Sequence, residues 1–275
     1  MSLRRLSIFL MAACFVLVLA GPGEGRQLEL DAEMSSVALG GSIHALVVLP
    51  EGYATSGKRY PVVYFLHGLP AGPSSYLGTA WLAEVAARVG PSIIVEPQGA
   101  RDGDSDAEYL DWGPNRNWST YLTQELPRYM DSHFRTIRSR SGRAIVGISA
   151  GGYGAAMLGL NDLDEFSVIE SWSGYFHATN PSGTKAIAAP ASANVHTLLA
   201  RLAADERHRP TFLGFYIGKA DSRFLVENEQ FADQLTQAGI QHAFAIYDGA
   251  HENALWRRQA ERWLRLALAH LLRPA

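Results

Sequence analysis

The hydrophobic residues of the chain fall into short continuous runs, and longer stretches with helical periodicity separate them. Apolar runs of strand length occupy residues 43–49, 60–66, 92–95, 144–148, 166–172, 211–217 and 242–247. Amphipathic or small-residue stretches predict helices over residues 82–89, 119–134, 152–160, 195–204, 224–238 and 254–272. Continuous apolar runs are typical of strands covered on both faces, and strands that alternate with helices favour a parallel sheet. The pattern therefore predicts an α/β fold, with helices on both faces of a mostly parallel central sheet.

Three stretches depart from this alternation. Residues 26–42 are polar and punctuated by glycine, which predicts an edge strand and a turn. Pro127 lies inside the predicted helix 119–134 and implies a kink or a late helix start, because proline has no N–H to donate. Residues 174–210 are rich in Gly, Pro, Ala and His, and a stretch of this length between two strands predicts a lid or a substrate-shaping insertion.

Residues 1–25 have the pattern of an export signal. Arg4 and Arg5 precede an apolar stretch over residues 6–20, and Gly-Pro-Gly at 21–23 ends that stretch. A positively charged start, a short apolar segment and small residues before a break are typical of a secretory signal peptide. The apolar segment is short for a spanning helix, and a retained N-terminal anchor is the alternative. The arginine pair leaves a twin-arginine route open beside general secretion.

We therefore predict a signal peptide over residues 1–25, cleaved after Ala20 or near Gly25, and one secreted, periplasmic or cell-wall-associated domain over residues 26–275. The 275 residues are 47% hydrophobic, which suits a single domain with a sizeable core. The net charge of −3 predicts neither a nucleic-acid partner nor an anionic membrane partner. The only cysteine, Cys14, lies in the apolar segment, so the mature domain is expected to have no disulfide.

The segment from Arg143 to Gly152 has the pattern of a nucleophilic serine turn. A strand-length apolar run ends in Gly147-Ile-Ser149-Ala-Gly151, and a small-residue helix follows. A serine on a tight turn between a strand and a helix projects its Oγ above the sheet edge, and the flanking glycines let the two backbones approach. The G-x-S-x-G pattern is weak by itself, but its position between a strand and a helix strengthens it. Ser149 is the predicted nucleophile.

A serine nucleophile needs a base that takes its proton and a carboxylate that orients the base. Where this turn follows a central strand, the acid and then the histidine come from loops after later strands. His251 lies directly after the last predicted strand, and Asp221 lies directly after the strand before it. These positions favour His251 as the base and Asp221 as the acid. For Asp221, a helix cap before Phe224 is the alternative.

Two backbone N–H groups are predicted to stabilise an oxyanion. The N–H of Ala150 opens the helix after Ser149, where unpaired donors and the helix dipole favour negative charge. His67-Gly68-Leu69 directly follows the apolar run 60–66, and this is the usual place of the second donor, here the N–H of Leu69. An ordinary turn with a structural His67 is the alternative.

Five acidic residues lie close together in the polar segment 99–117, namely Asp102, Asp104, Asp106, Glu108 and Asp111. A calcium loop is one interpretation of this cluster. Its spacing departs from the EF-hand pattern, however, and solvated carboxylates in loops are far more common. We therefore predict no metal ion and no other cofactor.

Several stretches resemble the esterase family that groups S-formylglutathione hydrolase, feruloyl esterases, enterochelin esterase and the mycobacterial mycolyltransferases. The matching stretches are residues 59–69, 118–127, 147–154 and 218–221, and residues 249–251 with Trp256. The resemblance implies an α/β-hydrolase fold. It also implies Ser149, Asp221 and His251 as a catalytic triad, with the N–H groups of Leu69 and Ala150 as oxyanion donors.

Details of the resemblance bear on the reaction. Residues 118–127 and the export signal favour the secreted, mycolyltransferase-like branch of the family. This chain has His67 where that branch has Asp, and its loop before Trp118 is shorter, which favours hydrolysis over transfer to a sugar. The first hypothesis is therefore a secreted serine esterase acting on a small-molecule, polysaccharide or lipid ester. An acyltransferase and a non-catalytic exported binding protein are the alternatives.

Overall fold

A computed structural model describes residues 16–17, 28–101, 109–180, 185–205 and 209–275 of the chain. Within these ranges one sheet contains nine strands: β1 (Val16–Leu17), β2 (Leu28–Ser36), β3 (Gly41–Leu49), β4 (Val62–Leu66), β5 (Ile93–Pro97), β6 (Arg143–Ile148), β7 (Val168–Trp172), β8 (Phe212–Gly218) and β9 (His242–Tyr247). Their spatial order is β1-β2-β3-β5-β4-β6-β7-β8-β9. The pairs β1–β2, β2–β3 and β3–β5 are antiparallel, and strands β4 to β9 all run parallel to one another. The predicted α/β fold is confirmed.

The strand register brings the carboxyl ends of the central strands to one edge of the sheet. Leu66 at the end of β4 pairs with Gly147, and Ile148 at the end of β6 pairs with Trp172 at the end of β7. At the far side, Gly218 of β8 pairs with Tyr247 of β9. Because parallel strands share a direction, the loops that follow them emerge together at this edge.

The helices form two layers that cover the sheet. They are α1 (Tyr53–Ser56), α2 (Leu82–Val89), α3 (Trp118–Thr120), α4 (Leu126–His133), α5 (Ala150–Asn161), α6 (Val195–Asp205), α7 (Leu225–Gln237) and α8 (Asn253–Ala269). Helices α3 to α7 pack on one face, whereas α2 and α8 pack on the other. Residues 150–160 of α5 are all buried, which explains why Gly, Ala and Leu fill that helix without a polar face.

The predicted helix 119–134 is interrupted. A π-helical turn, Tyr121–Glu125, separates α3 from α4, and Pro127 lies in the first turn of α4. Proline cannot donate the hydrogen bond that would continue a regular α-helix, so a late helix start fits this position. The carboxylate of Asp111 accepts the backbone N–H of Thr120 at 3.0 Å and its hydroxyl at 2.7 Å. Asp111 therefore serves as a capping group from a neighbouring loop.

The insertion predicted over residues 174–210 leaves the sheet edge after β7. Its described part contains an isolated bridge between Thr179 and Ala186, a short 3₁₀ turn at Ala191–Ala193, and α6. Of the predicted signal peptide, only strand β1 falls within the described residues, and the rest lies outside them. Among the helices that the structure describes, none has the length and apolar character required to cross a membrane.

Candidate active site

Ser149 stands on a strained turn between β6 and α5. Its backbone has φ 55° and ψ −122°, a region that non-glycine residues rarely adopt. The Ser149 N–H donates to the carbonyl of Trp172 at 2.9 Å, and its carbonyl accepts the N–H of Tyr153 at 3.0 Å. Strain of this kind costs about 1–3 kcal/mol and persists only where the surroundings hold the residue in place. Here a neighbouring strand and the first turn of α5 do so.

The two glycines of the motif make the turn sterically feasible. A Cβ on Gly147 would lie 2.2 Å from the carbonyl oxygen of Gly151. A Cβ on Gly151 would lie 2.1 Å from the carbonyl oxygen of Leu66. Both distances are far below van der Waals contact, and both obstacles are backbone atoms that have no rotamer to change. The spacing of the motif is thus required by the packing of β4, β6 and α5.

The structure brings the three predicted side chains together at the sheet edge. His251 Nε2 lies 2.8 Å from Ser149 Oγ, and His251 Nδ1 lies 2.6 Å from Asp221 Oδ2. With Nδ1–H donating to the carboxylate, the lone pair of Nε2 faces the serine hydroxyl. That is the tautomer in which an imidazole accepts a proton from a nucleophilic serine. Ser149 is only 8% exposed, so the group lies in a recess.

Backbone hydrogen bonds tie together the two loops that carry Asp221 and His251. The N–H of Lys219 donates to the carbonyl of Tyr247 at 2.8 Å, and the N–H of Ala220 donates to that of Gly249 at 2.9 Å. Gly249 has φ 143°, a conformation that glycine adopts readily. The distance between the acid and the base is therefore set by main-chain geometry.

Aromatic rings fix the orientation of the His251 imidazole. Phe224 packs against it with 5.6 Å between ring centres, and Trp256 packs edge to face at 5.2 Å. Asp221 also accepts the backbone N–H of Arg223 at 3.3 Å. Its side chain therefore serves His251 through one oxygen and its own loop through the other.

The two predicted oxyanion residues lie beside Ser149. Ala150 opens α5, and Leu69 borders the same cleft as the serine. A Cβ on Gly68 would lie 3.0 Å from Ser149 Cβ, which shows how closely the 67–69 segment approaches the nucleophile. Within the described part of the chain, neither the Leu69 N–H nor the Ala150 N–H donates to a protein oxygen. Both donors are therefore available to a substrate.

His67 is a buried residue that holds this segment from behind. Its Nε2 accepts the N–H of Gly99 at 3.1 Å, so Nδ1 carries the proton and donates to the carbonyl of Gly68 at 3.0 Å. The hydroxyl of Tyr109 donates to the carbonyl of His67 at 2.5 Å. Burial lowers the pKa of His67 and keeps its ring neutral. His67 therefore has a structural role, and through the Gly68 carbonyl it holds the peptide unit that contains the Leu69 N–H.

A cleft of about 780 Å³ opens onto Ser149. Apolar and polar side chains share its wall, and they are Leu69, Pro70, Ser149, Tyr175, Arg223, Phe224, His251, Glu252, Asn253 and Trp256. The segment that contributes Tyr175 is fixed to α7, because Asn228 donates from its amide to the carbonyls of Gly174 and Phe224, both at 2.9 Å. The base of the insertion thus forms part of the site.

A second anchor of the insertion is a carboxylate between two histidines. Glu227 of α7 lies 2.5 Å from His177 Nδ1 and 3.3 Å from His196 Nε2. Burial alone would raise the pKa of Glu227, but hydrogen bonds with the two imidazoles outweigh burial and lower it to about 2. Burial alone would lower the pKa of His196, but its bonds with Glu227 and Gln234 raise it.

The remaining titratable candidates lie elsewhere. The other described histidines form hydrogen bonds within their own or a neighbouring element: His44 with Asp31, His133 with Tyr129, His242 with Ile240 and His270 with Leu266. Of the acidic cluster, Asp102, Asp104, Asp106 and Glu108 lie outside the described residues, as does His208. Among the residues that the structure does describe, no group of three or more His, Cys, Asp or Glu side chains is placed to hold a metal ion.

Sequence reasoning did not assign a role to the residues that support the site. The side chains of Tyr109 and Asn228 donate to the backbone carbonyls of His67 and Gly174, and these contacts join segments far apart in the chain. No local pattern marks such a residue. Trp256 is among the residues that carry the family resemblance, whereas Phe224 is marked only by its place three positions after Asp221.

Comparison with known proteins places these features in a family. The family described as "Putative esterase" matches residues 36–264 of the chain. A protein named "Esterase Rv1288" from Mycobacterium tuberculosis is 27% identical over 247 residues, which cover 78% of this chain and 53% of that protein. The "MPT51/MPB51 antigen" of Mycobacterium bovis is 30% identical over 145 residues, covering 51% of this chain and 46% of the antigen. The chain thus spans about half the length of these curated relatives.

Solved structures show the same fold. A ferulic acid esterase superimposes with a TM-score of 0.75 at 21% identity, covering 91% of this chain and 100% of that one. An S-formylglutathione hydrolase from Agrobacterium tumefaciens superimposes with a TM-score of 0.74 at 19% identity, covering 93% of this chain and 99% of the other. At these identities the likeness shows the fold, and it confirms the predicted α/β-hydrolase architecture.

Proposed function

The chain belongs to the Esterase family, and from this premise we propose that it is a serine hydrolase of carboxylic esters. The proposal assigns Ser149 as nucleophile, His251 as general base and acid, and Asp221 as the group that orients His251. The N–H groups of Leu69 and Ala150 complete it as oxyanion donors.

Acylation begins with the ester carbonyl placed above Ser149. As Oγ forms its bond to the carbonyl carbon, its proton passes to His251 Nε2, 2.8 Å away. The carbonyl oxygen becomes an oxyanion and accepts hydrogen bonds from the two backbone N–H groups. Asp221 stabilises the imidazolium that forms. When the tetrahedral intermediate collapses, the ester C–O bond breaks and His251 gives its proton to the departing alcohol.

Deacylation repeats these steps with water as the nucleophile. His251 takes a proton from water, hydroxide adds to the acyl carbon, and Ser149 Oγ leaves with the proton returned by His251. The products are a carboxylic acid and free enzyme. No metal ion or organic cofactor takes part in this scheme.

A single observation carries the proposal: the continuous Asp221–His251–Ser149 hydrogen-bond chain, with distances of 2.6 and 2.8 Å. The test is hydrolysis of 4-nitrophenyl acetate by the purified protein and by Ser149→Ala. We expect the variant to lose at least about 10³-fold in kcat. Labelling by a fluorophosphonate probe should mark Ser149 in the wild type only. Undiminished hydrolysis by Ser149→Ala would contradict the proposal, and absence of the adduct would favour the non-catalytic binding protein.

An acyltransferase is the second candidate. The resemblance of residues 118–127 to the mycolyltransferase-like branch and a cleft of about 780 Å³ favour it. Transfer requires that an alcohol or sugar compete with water for the acyl-enzyme. Product analysis with and without trehalose separates the two reactions, since only transfer yields an acylated sugar.

We also propose that the domain acts after export. The support is the Arg4-Arg5 start and the apolar segment 6–20, which have the pattern of a secretory signal peptide. Expression of the full chain with a reporter at its C-terminus tests this. N-terminal sequencing of the exported protein should begin after Ala20 or near Gly25.

A further inference from the structure

Arg223 is a cation at the cleft whose guanidinium makes no hydrogen bond within the described part of the protein. Its guanidinium carbon lies 5.0 Å from the centre of the Phe224 ring. Only the backbone N–H of the residue is used internally, in the bond to Asp221. The side chain is thus oriented by an aromatic ring while its five N–H donors remain open to a ligand.

Two other arginines of the described chain have internal roles. Arg143 forms ion pairs with Asp131 and Glu165, both at 2.6 Å. Arg140 donates to carbonyls of two loops that meet at the opposite end of the sheet. Arg223 differs from these two because it borders the cleft that contains Ser149. Its guanidinium also makes no ion pair or hydrogen bond within the described residues, so a structural role of the kind seen for Arg143 and Arg140 does not account for its charge.

The position of Arg223 relates it to one part of an ester substrate. Phe224, on which the guanidinium stacks, packs against the ring of His251. In the proposed reaction His251 protonates the departing alcohol, so the alcohol part of the ester must pass the His251 side of the cleft. Arg223 stands on that side. Leu69, in contrast, borders the carbonyl oxygen through its N–H.

We propose that Arg223 binds a carboxylate on the alcohol part of the substrate. The inference rests on the proposed esterase function and names a substrate class for it: esters of alcohols or phenols that carry a carboxylate group. A guanidinium suits this ligand because its planar fork forms two parallel hydrogen bonds to the two oxygens of a carboxylate. Because stacking on Phe224 already restricts the Arg223 side chain, less conformational entropy is lost when it binds a ligand.

Glu252 is the other charged side chain of the cleft. No ion pair joins it to Arg223 in the described structure, and its Oε1 accepts the Ala250 N–H at 3.3 Å. Its carboxylate repels an anionic alcohol in the same cleft. Neutralisation of Glu252 should therefore strengthen the binding of a carboxylate-bearing substrate, whereas neutralisation of Arg223 should weaken it.

The first test uses Arg223→Met, which keeps an unbranched apolar chain on Phe224 and removes the charge. The substrates are the acetyl esters of 4-hydroxybenzoate and 4-hydroxybenzamide. Each ester is compared between variant and wild type, so its intrinsic reactivity cancels. We expect the loss in kcat/KM on the benzoate ester to exceed the loss on the benzamide ester about tenfold, mainly through KM. Glu252→Gln should raise kcat/KM on the benzoate ester.

Arg257→Met is the matched control, because Arg257 also stacks on an aromatic ring, that of Trp81 at 5.3 Å, but does not border the cleft. Equal losses on both esters in Arg223→Met, or no loss on either, would overturn the proposal. So would a loss confined to 4-nitrophenyl succinate, whose carboxylate lies on the acyl part. Failure of the esterase function itself is distinguishable, because Ser149→Ala would then hydrolyse both acetyl esters as fast as the wild type.

Discussion

Asp221 Oδ2 lies 2.6 Å from His251 Nδ1, although the two residues are 30 positions apart in the chain. They stand on the loops that follow β8 and β9, and these strands are neighbours in the sheet. The Asp221 side chain is 1% exposed, and its partners are the His251 ring and the backbone N–H of Arg223. A buried carboxylate without such partners is strongly destabilising. The pair therefore links the fold of this sheet edge to the chemistry proposed for it.

Replacement of Asp221 by Asn should reduce kcat by about 10³–10⁴-fold, because an amide favours the wrong imidazole tautomer. The measurement is hydrolysis of 4-nitrophenyl acetate, with the thermal midpoint recorded to show that the variant is folded. Asp248→Asn is the control. Asp248 is an exposed residue just before His251, and Arg258 bonds to its backbone carbonyl. A loss of less than about tenfold in folded Asp221→Asn would argue against the assigned acid.

We expect Gly147→Ala either to prevent stable folding or to lower the free energy of unfolding by about 2–4 kcal/mol. The reason is the 2.2 Å approach of its Cβ to the Gly151 carbonyl oxygen. Urea denaturation measures the loss. Gly72→Ala provides the comparison, since a Cβ there meets nothing within 4 Å. Similar stability in the two variants would mean that the turn can widen without penalty.

The sequence predicts the frame of this site because the frame depends on local pattern and strand order. The run before Ser149 and the positions of Asp221 and His251 after late strands are local features, and parallel pairing brings the strand ends together. The predicted strands and helices agree with the observed ones to within a few residues. The predicted helix 119–134 differs from the observed structure. The pattern shows Pro127, but it does not show that a π-helical turn separates α3 from α4.

What the sequence does not predict is the support around the frame. The contact between Tyr109 and His67 joins residues 42 positions apart, and that between Asn228 and Gly174 joins residues 54 apart. Such bonds depend on loop paths that hydrophobic periodicity does not encode. The same holds for Glu227, which reads as an ordinary helix-surface residue until His177 and His196 are brought to it.

The Glu227 network should make stability depend on pH in a defined window. The pKa of Glu227 falls from an ordinary 4.5 to about 2, so its stabilising effect is present above pH 4.5 and is lost as the pH falls toward 2. The pKa of His196 is raised above 6.5, so its stabilising effect is complete below that pH and is lost as the pH rises through the folded value. The network should stabilise most between pH 4.5 and 6.5.

Glu227→Gln tests this window, because Gln keeps the shape and removes the charge. Thermal midpoints of wild type and variant, measured from pH 2 to 9, should differ most between pH 4.5 and 6.5 and converge at both ends. A difference of about 2–4 °C is expected at its largest. Glu229→Gln, an exposed position on the same helix, should give a pH-independent difference. If the difference in thermal midpoint between wild type and Glu227→Gln stays constant across the pH range, the stabilising effect of Glu227 does not depend on protonation.

His67 should act as a positioning residue for the oxyanion donor at Leu69. Its ring accepts the Gly99 N–H and donates to the Gly68 carbonyl, so it fixes the peptide unit that contains the Leu69 N–H. Removal of both bonds in His67→Leu lets that N–H move, and loss of one oxyanion donor typically costs about 10²–10³-fold in kcat. We therefore expect kcat for 4-nitrophenyl acetate to fall by up to about 10²-fold, while KM changes much less.

His67→Asn separates this role from simple packing, because an amide can accept and donate as the imidazole does. It should recover part of the kcat lost in His67→Leu, although the two variants differ little in KM. His67→Asp tests the donor alone: its carboxylate can accept the Gly99 N–H but cannot donate to Gly68, so it should resemble His67→Leu. Thermal midpoints of all three variants identify any that are unfolded at the assay temperature. Equal kcat in folded His67→Leu and wild type would show that the 67–69 segment holds its donor without the ring, and that His67 contributes to stability only.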